Sequence, residues 1–325
     1  MKDLHILPKI RDSWSFLYVE RCRIEQHEKA IAVETIRGKV PVPCAMLTTL
    51  MLGPGSVITH AAVRALADNG CLVIWCGEDN IRFYAQGMGE TRSAANLYLQ
   101  ARLWADPERR QNVVRRLYEM RFKESLSPDL NLRQVRGMEG IRVRRAYAEW
   151  SRETGVSWKG RAYKSGDWYK ADAINRALSA ANSCLYGVCH AAIVSAGFSS
   201  ALGFIHTGKM LSFVYDVADL YKTEVSIPAA FRAVSQGSLG VESRARAYCR
   251  EDLVRTRLLA RIVPDIQVAL GMQSLAENKA RFDEDDGIPG GIWDEIDGEI
   301  DGGVNYADLD DAVLVEAGGE SEGEA

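Results

Sequence analysis

Residues 172–196 read DAINRALSAANSCLYGVCHAAIVSA and place apolar side chains three and four positions apart. This spacing predicts a helix. The apolar run continues to Ile205, and its length alone is compatible with a membrane span. However, His190 and several serines lie within it, and Gly197 and Gly203 interrupt it. We therefore predict no membrane segment but a buried core helix, which is the centre of a helical domain.

Helical spacing recurs on both sides of this segment, whereas the first part of the chain is different. Further helices are predicted over residues 94–104, 107–123, 132–152, 211–222 and 243–270. Short runs rich in strand-forming residues, bounded by turn residues, predict strands over residues 14–19, 30–35, 39–43, 46–51, 71–75 and 81–85, with one helix beginning near Thr59. The predicted fold class is α+β, a small β-rich N-terminal domain followed by a larger all-α domain.

Composition sets the expected domain boundaries. The β-rich domain is predicted over residues 1–85, a linker over 86–91 (QGMGET), the helical domain over 92–281 and a disordered acidic tail over 282–325. The tail contains sixteen Asp and Glu and no Lys or Arg, which leaves 28 acids against 40 bases in residues 1–281. The body therefore carries about +12 although the whole chain carries −4. This asymmetry indicates a polyanionic partner such as nucleic acid, although solvated helix faces would give the same count.

The cysteines and the N-terminus indicate a cytoplasmic protein. The seven cysteines include no C-x-x-C pair, their number is odd, and most lie in apolar runs. Reduced cysteines fit this pattern better than disulfides or a zinc site. Residues 1–5 (MKDLH) show no apolar signal region.

Four residues could form a mixed oxygen and nitrogen metal site. His206 lies in a glycine-rich break, and Asp216 and Asp219 share one face of the helix that follows. Glu139 lies between Gly137 and Gly140 in a predicted helix, and glycines there suggest close approach of another helix or of a phosphate backbone. Carboxylates and imidazole together suit Mg²⁺ or Mn²⁺. Surface acids, paired with arginine in the case of Glu139, remain the alternative.

Two other motifs bear on nucleotides and nucleic acids. Residues 203–209 (GFIHTGK) nearly match a phosphate-binding P-loop, but Met210 stands where Ser or Thr is needed and a helix precedes the motif. Residues 161–170 (RAYKSGDWYK) interleave aromatic and basic side chains, as in platforms for DNA ends, although a loop with partly buried aromatics is an equal alternative. A further basic helix carries arginines at 244, 246, 250, 255, 257 and 261.

Four strings of the chain resemble the CRISPR-associated integrase of subtype I-E systems. They are GMEGIRVR at 137–144, the G-x-x-Y-x-x-x-D-W pattern at 160–168, the A-x-x-S-C-L-Y-G-V pattern at 180–188, and GFIHTGKMLSFVYDVAD at 203–219. The likeness covers residues 8–270, and the last string is the most specific. The resemblance implies a cytoplasmic endonuclease and integrase that inserts captured foreign DNA into a CRISPR repeat array by two transesterifications. It also implies that the N-terminal domain forms a homodimer and that two such dimers join one dimer of a small ferredoxin-fold partner subunit, a 4:2 complex.

The resemblance also implies roles for individual residues. Glu139, His206 and Asp219 fall on the family's metal ligands, with Asp216 as a supporting acid. The expected contacts with the captured double-stranded DNA or the CRISPR repeat are Arg64, Arg82, Tyr163, Trp168, Tyr186, Lys209, Arg246 and Arg250. The family often has a basic residue where this chain has Ser243, and Arg244 is the expected substitute. The acidic tail departs from the proline-rich tail of a known relative, so no tail function is carried over.

Two other functions stay open from the sequence. A general metal-dependent nuclease that cuts branched DNA would use the same residue types. A DNA-binding scaffold without catalysis would use the same basic surface, and its acidic cluster would then be structural.

Overall fold

The computed structural model describes residues 16–28, 30–44, 47, 49–77, 83–87, 94–161, 172–272, 292–294 and 298–300. The strands are β1 (Phe16–Val19), β2 (Arg23–His27), β3 (Ala30–Thr35), β4 (Gly38–Pro43), β5 (Thr49–Leu52), β6 (Val57–Ile58), β7 (Leu72–Cys76), β8 (Phe83–Gly87), β9 (Ile292–Asp294) and β10 (Gly298–Ile300). The helices are α1 (His60–Asp68), α2 (Ala95–Ala105), α3 (Pro107–Phe122), α4 (Leu132–Thr154), α5 (Ala173–Ser195), α6 (Ser212–Ala218), α7 (Ser226–Ser235), α8 (Val241–Arg255) and α9 (Leu258–Leu270).

The N-terminal region contains two small sheets and one helix. One sheet has the order β1-β5-β7-β8, in which β1, β5 and β7 are parallel and β8 is antiparallel to β7. The other sheet has the order β4-β3-β2-β6. Helix α1 begins after Thr59, whose hydroxyl accepts the backbone N–H of Ala62 as an N-cap. Ala62 and Leu66 of α1 are buried in one core with residues of both sheets, such as Ile24 and Leu50.

Helix α5 is the centre of the helical region. Its apolar residues pack against α7 and α8, and they contribute to one core that also includes residues of α3, α6 and α9. By length and composition α5 is apolar enough to cross a membrane, but 78% of its apolar window is buried inside the protein. The predicted core helix is therefore confirmed, because a helix that is apolar on nearly all sides needs neighbours on all sides. The predicted α+β fold class is confirmed as well.

Several predicted boundaries were wrong. Residues 243–270 form two helices rather than one, because the chain turns at Arg257, which has a left-handed φ of 49°. The helix predicted to reach residue 222 ends at Ala218. The predicted linker begins too early, because Gln86 and Gly87 still pair with β7. Strands β2 and β6, helix α7 and the antiparallel pair β9–β10, which belongs to a separate unit, were not predicted.

The β-rich and helical regions share a contact at one end of α5. The ring of His190 stacks on Phe83 of β8, with centroids 3.7 Å apart and planes inclined by 28°. Ala191 and Val194 of α5 lie in a small core with residues of β5 and β7. Burial lowers the pKa of His190 from its ordinary value of 6.5 to about 4. His190 is therefore a neutral packing residue at neutral pH.

This contact predicts a pH-dependent stability. The unfolded chain protonates His190 below about pH 6.5, whereas the folded protein does so only near pH 4. The free energy of unfolding therefore has its full value with respect to His190 above pH 6.5. It falls by up to about 2–3 kcal/mol as the pH falls toward 4. We expect His190→Phe to lose less stability than the wild type over this range, measured by chemical denaturation at pH 7.5, 5.5 and 4.5. Identical pH profiles of the two proteins would contradict the assignment.

Candidate functional site

Asp216 of α6 organises the loop that carries His206. Its carboxylate is fully buried and accepts the backbone N–H groups of Phe204 (2.6 Å), Ile205 (3.0 Å) and His206 (2.9 Å). Gly203 permits this tight loop, because a Cβ at that position would lie 2.4 Å from the carbonyl oxygen of His206. Both oxygens of the Asp216 carboxylate are thus engaged by backbone N–H groups of the chain itself.

This geometry also removes the nucleotide-binding interpretation of residues 203–209. A P-loop uses free backbone N–H groups at a strand-to-helix turn to bind phosphate. Here three successive N–H groups already bind the Asp216 carboxylate. The loop also follows helix α5 instead of a strand. The chain's own carboxylate therefore occupies the position that an anionic ligand would need.

The same carboxylate orients the imidazole of His206. Nδ1 lies 2.7 Å from Asp216 Oδ1, and Nε2 lies 3.9 Å from Asp219 Oδ2. When Nδ1 donates its proton to Asp216, Nε2 keeps its lone pair and faces Asp219. A carboxylate behind a histidine in this way is the usual support of a metal-binding imidazole. The edge-on ring of Tyr215, with centroids 5.8 Å apart, packs against the imidazole.

Asp219 and Glu139 are joined by a buried arginine that the sequence analysis missed. Arg121 of α3 places Nη1 3.7 Å from Glu139 Oε1 and Nη2 3.5 Å from Asp219 Oδ2. The Arg121 side chain is 3% exposed, and Nη2 also donates to the backbone carbonyl of Asp216 at 3.3 Å. The sequence carries a signal for it, because Arg121 continues the buried stripe of α3 four residues after Leu117. A charged residue on a buried stripe requires a partner.

Two further cations complete the surroundings of the acids. Arg142 donates to both oxygens of Glu139, at 2.8 and 3.1 Å. Lys222 lies 2.5 Å from Asp219 Oδ1 and above the ring of Tyr186. Burial lowers the pKa of Lys222, but Asp219 and Tyr186 together outweigh burial and raise the pKa above its ordinary value of 10.5. Lys222 is therefore a permanent positive charge beside Asp219, and sequence reasoning placed it only at a helix end.

The predicted metal ligands are only partly brought together. His206 and Asp219 face each other directly, whereas Glu139 reaches Asp219 through Arg121. Among the residues that the structure describes, no three His, Cys, Asp or Glu side chains form a ready cation site. The donor types nevertheless fit Mg²⁺ or Mn²⁺, and the orientation of His206 fits as well.

The predicted DNA contacts outside α8 fall into three groups. Arg82, Tyr163 and Trp168 lie outside the described residues. Arg64 is largely exposed and 3.7 Å from Asp68, and Lys209 is exposed in the loop before α6. Tyr186 instead packs edge-on against Tyr215, with centroids 5.1 Å apart, and lies under Lys222. Tyr186 therefore packs beside the acidic site, by which we mean Glu139, His206, Asp216 and Asp219.

The arginines of α8 differ in what they bind. The guanidinium of Arg244 donates to the backbone carbonyls of Ala233 (3.1 Å), Leu239 (2.6 Å) and Gly237. Arg244 therefore stabilises the loop between α7 and α8. Because its guanidinium is engaged there, its geometry does not favour the expected DNA contact, in which Arg244 would substitute for a basic residue at position 243. Arg246 and Arg250 are half-buried on the same helix.

This difference predicts that two alanine substitutions affect different properties, one the stability and the other the DNA affinity. We expect Arg244→Ala to destabilise the protein by about 1–3 kcal/mol, because three carbonyls lose their donor. We expect Arg246→Ala to leave stability unchanged and to reduce the salt dependence of DNA affinity by about one unit of slope. Thermal unfolding and DNA titrations between 50 and 200 mM salt measure both effects. A reduced salt slope without lost stability in Arg244→Ala would reverse our assignment.

The two glycines beside Glu139 face open space. A Cβ at Gly137 or Gly140 would have no described atom within 4 Å. Packing within the described part of the chain is therefore not the reason for glycine there. The exposed side of α4 around them carries Arg133, Arg136 and Arg144.

Comparisons with known proteins identify the class. The family profile described as CRISPR associated protein Cas1 matches residues 121–256. The CRISPR-associated endonuclease Cas1 2 of Thermus thermophilus is 55% identical over 305 residues, which cover 94% of each chain. The CRISPR-associated endonuclease Cas1 of Escherichia coli is 40% identical over 80% of this chain and 86% of its own. A crystal structure of a TtCas1–DNA complex has 57% identity and a TM-score of 0.75, covering 81% of this chain and 99% of its own. The chain thus belongs to the Cas1 family of CRISPR-associated proteins.

Proposed function

We propose that this protein is a metal-dependent DNA integrase and endonuclease of a subtype I-E CRISPR system. It inserts captured foreign DNA into the repeat array by transesterification. The observation that carries the proposal is the arrangement of Asp216, His206 and Asp219, in which a buried carboxylate turns an imidazole nitrogen toward an acid. Membership of the Cas1 family supports the same reaction.

Glu139, His206 and Asp219 would hold the Mg²⁺ or Mn²⁺. Such an ion would polarise a phosphoryl oxygen and stabilise an in-line displacement. The chain's own residues prepare the site. Asp216 fixes the loop and the imidazole tautomer, and Lys222 holds a positive charge beside Asp219. Arg142 orients Glu139 by two hydrogen bonds.

The substrate is double-stranded DNA, both the captured duplex and the CRISPR repeat. The body charge of about +12 supplies the sequence-independent part of DNA binding. The open glycine face of α4 leaves room for a phosphate backbone close to Glu139, and Arg136 and Arg144 lie on that exposed side. Arg64, Arg82, Lys209, Arg246 and Arg250 are proposed backbone contacts, and Tyr163 and Trp168 are proposed contacts at the duplex ends. The TtCas1–DNA complex supports DNA as the ligand.

The working assembly is proposed to be two homodimers bridged by a dimer of a small ferredoxin-fold subunit, in the cytoplasm. The β-rich region is the proposed dimerisation element. Among the described residues its two sheets end in the edge strands β1 and β8 and the edge strands β4 and β6, and pairing between copies would cover such edges. Light scattering of the protein with and without the small subunit measures the stoichiometry.

The deciding experiment compares three substrates under Mg²⁺ or Mn²⁺. The protein and its small partner subunit are incubated with linear duplex, with branched DNA, and with a duplex bearing free 3′-hydroxyl ends plus a plasmid carrying the repeat. Joined product at the repeat supports integration. Cleavage of branched DNA without joining would favour the general nuclease, and binding without any new bond or break would favour the scaffold.

A further inference from the structure

Arg121 lies between two of the proposed metal ligands, Glu139 and Asp219. Its guanidinium spans Glu139 Oε1 and Asp219 Oδ2, and the latter oxygen also faces Nε2 of His206. The Arg121 side chain is 3% exposed. The side chains of Glu139 and Asp219 are each 16% exposed, and carboxylates with so little exposure are stabilised by nearby positive charge. Arg121 supplies part of that charge from a third element, since it lies on α3 while Glu139 lies on α4 and Asp219 follows α6.

The contacts of Arg121 to the acids are long. They measure 3.7 and 3.5 Å, whereas charge-assisted hydrogen bonds are about 2.7–2.9 Å. Its anchors lie elsewhere, in the carbonyl of Asp216 at 3.3 Å and in the ring of Tyr118, whose centroid is 5.2 Å from Arg121 Cζ. Each acid also keeps a second cation, Arg142 for Glu139 and Lys222 for Asp219. Arg121 therefore acts on the two acids through charge rather than through tight hydrogen bonds.

We propose that Arg121 is a positioning residue that stands in for the divalent cation. It holds Glu139 and Asp219 toward a common point in the metal-free protein and competes with the metal for these two carboxylates. This inference rests on the proposed function. It explains why the described residues contain no ready three-ligand site although the ligand types are present. In this proposal the Arg121 guanidinium lies between the two carboxylates until the metal ion binds them.

It follows that a positive charge at residue 121 lowers the affinity for the metal ion and that a neutral residue there raises it. Removing the guanidinium removes both the competition and a positive charge next to the bound ion. We expect Arg121→Gln to bind Mn²⁺ about tenfold more tightly than the wild type. In EDTA the variant unfolds at a lower temperature than the wild type, because the acids lose a shared counter-charge. Added Mn²⁺ raises the unfolding temperature more in the variant than in the wild type.

The test uses the full chain, with Mn²⁺ as the only ligand, isothermal calorimetry for affinity and thermal unfolding with and without EDTA. Arg121→Met repeats the neutral substitution with an apolar side chain in case Arg121→Gln does not fold. Arg121→Lys keeps the charge and is expected to bind Mn²⁺ like the wild type. The matched control is Arg116→Gln, because Arg116 lies on the same helix and donates to the carbonyl of Ala269 at 2.8 Å, away from the acids. It should lose stability without any change in Mn²⁺ affinity.

Unchanged or weaker Mn²⁺ binding by the neutral Arg121 variants would overturn the inference. Asp219→Ala separates this result from failure of the proposed metal site. If Asp219→Ala abolishes Mn²⁺ binding while neutral Arg121 variants bind no tighter, only the inference fails. If Mn²⁺ binding persists unchanged in Asp219→Ala, the ion binds elsewhere and both proposals fail. Tighter binding by the neutral variants, abolished by Asp219→Ala, establishes Arg121 as the competing cation.

Discussion

Glu139→Ala is expected to abolish strand transfer while DNA affinity stays within about threefold of the wild type. DNA affinity and strand transfer depend on different residues. The body charge of about +12 supplies the affinity, whereas Glu139 on α4 takes part in the reaction. Replacing one acid does not weaken phosphate contacts. A gel assay for joined product and a fluorescence titration of duplex DNA measure the two properties separately.

Two variants make this expectation specific. Glu139→Gln keeps the shape of the side chain and also loses strand transfer, because a neutral amide is a poor ligand for a hard cation. Glu149→Ala removes an exposed acid from the same helix and keeps both properties. Loss of DNA affinity together with activity in Glu139→Gln would show a folding or binding defect instead. Persisting strand transfer would remove Glu139 from the site.

Asp216→Asn is expected to lower strand transfer by about 10- to 100-fold and to reduce stability by about 2–3 kcal/mol. The buried carboxylate accepts three backbone N–H groups and faces Nδ1 of His206. An amide at this position turns an N–H₂ toward at least one N–H donor, so one of the hydrogen bonds becomes a repulsion. The loop then no longer holds Nε2 of His206 toward Asp219.

The control for Asp216→Asn is Asp265→Asn. Asp265 accepts the hydroxyl of Tyr221 at 2.7 Å and lies on α9, outside the acidic site. This variant should lose some stability and keep strand transfer in proportion to the folded protein. Equal losses of activity in both variants, after correction for the folded fraction, would assign Asp216 a purely structural role. Urea denaturation and the joining assay are the two measurements.

Local sequence signals correctly predicted the structural features that arise from local chemistry. Thr59 caps α1 through its own hydroxyl, and the GFIHTGK string marks a real break between α5 and α6. The apolar spacing of residues 172–196 predicted a core helix, because apolar faces of that length must be covered by neighbours. The chain turn at Arg257 was missed because arginine seldom adopts a positive φ, so the residue type gives no local signal for such a turn.

The sequence alone determined the α+β class, the core helix and the identities of Glu139, His206, Asp216 and Asp219, since residue type and helical spacing are properties of the chain itself. Only the tertiary structure decided which contacts they make. It assigned Asp216 to the loop backbone, turned His206 toward Asp219, and brought Arg121 from α3 between Glu139 and Asp219. The physical reason is that partners of a buried charge come from whichever elements pack together, and packing here joins Arg121 to Asp216, which is 95 positions away in the chain.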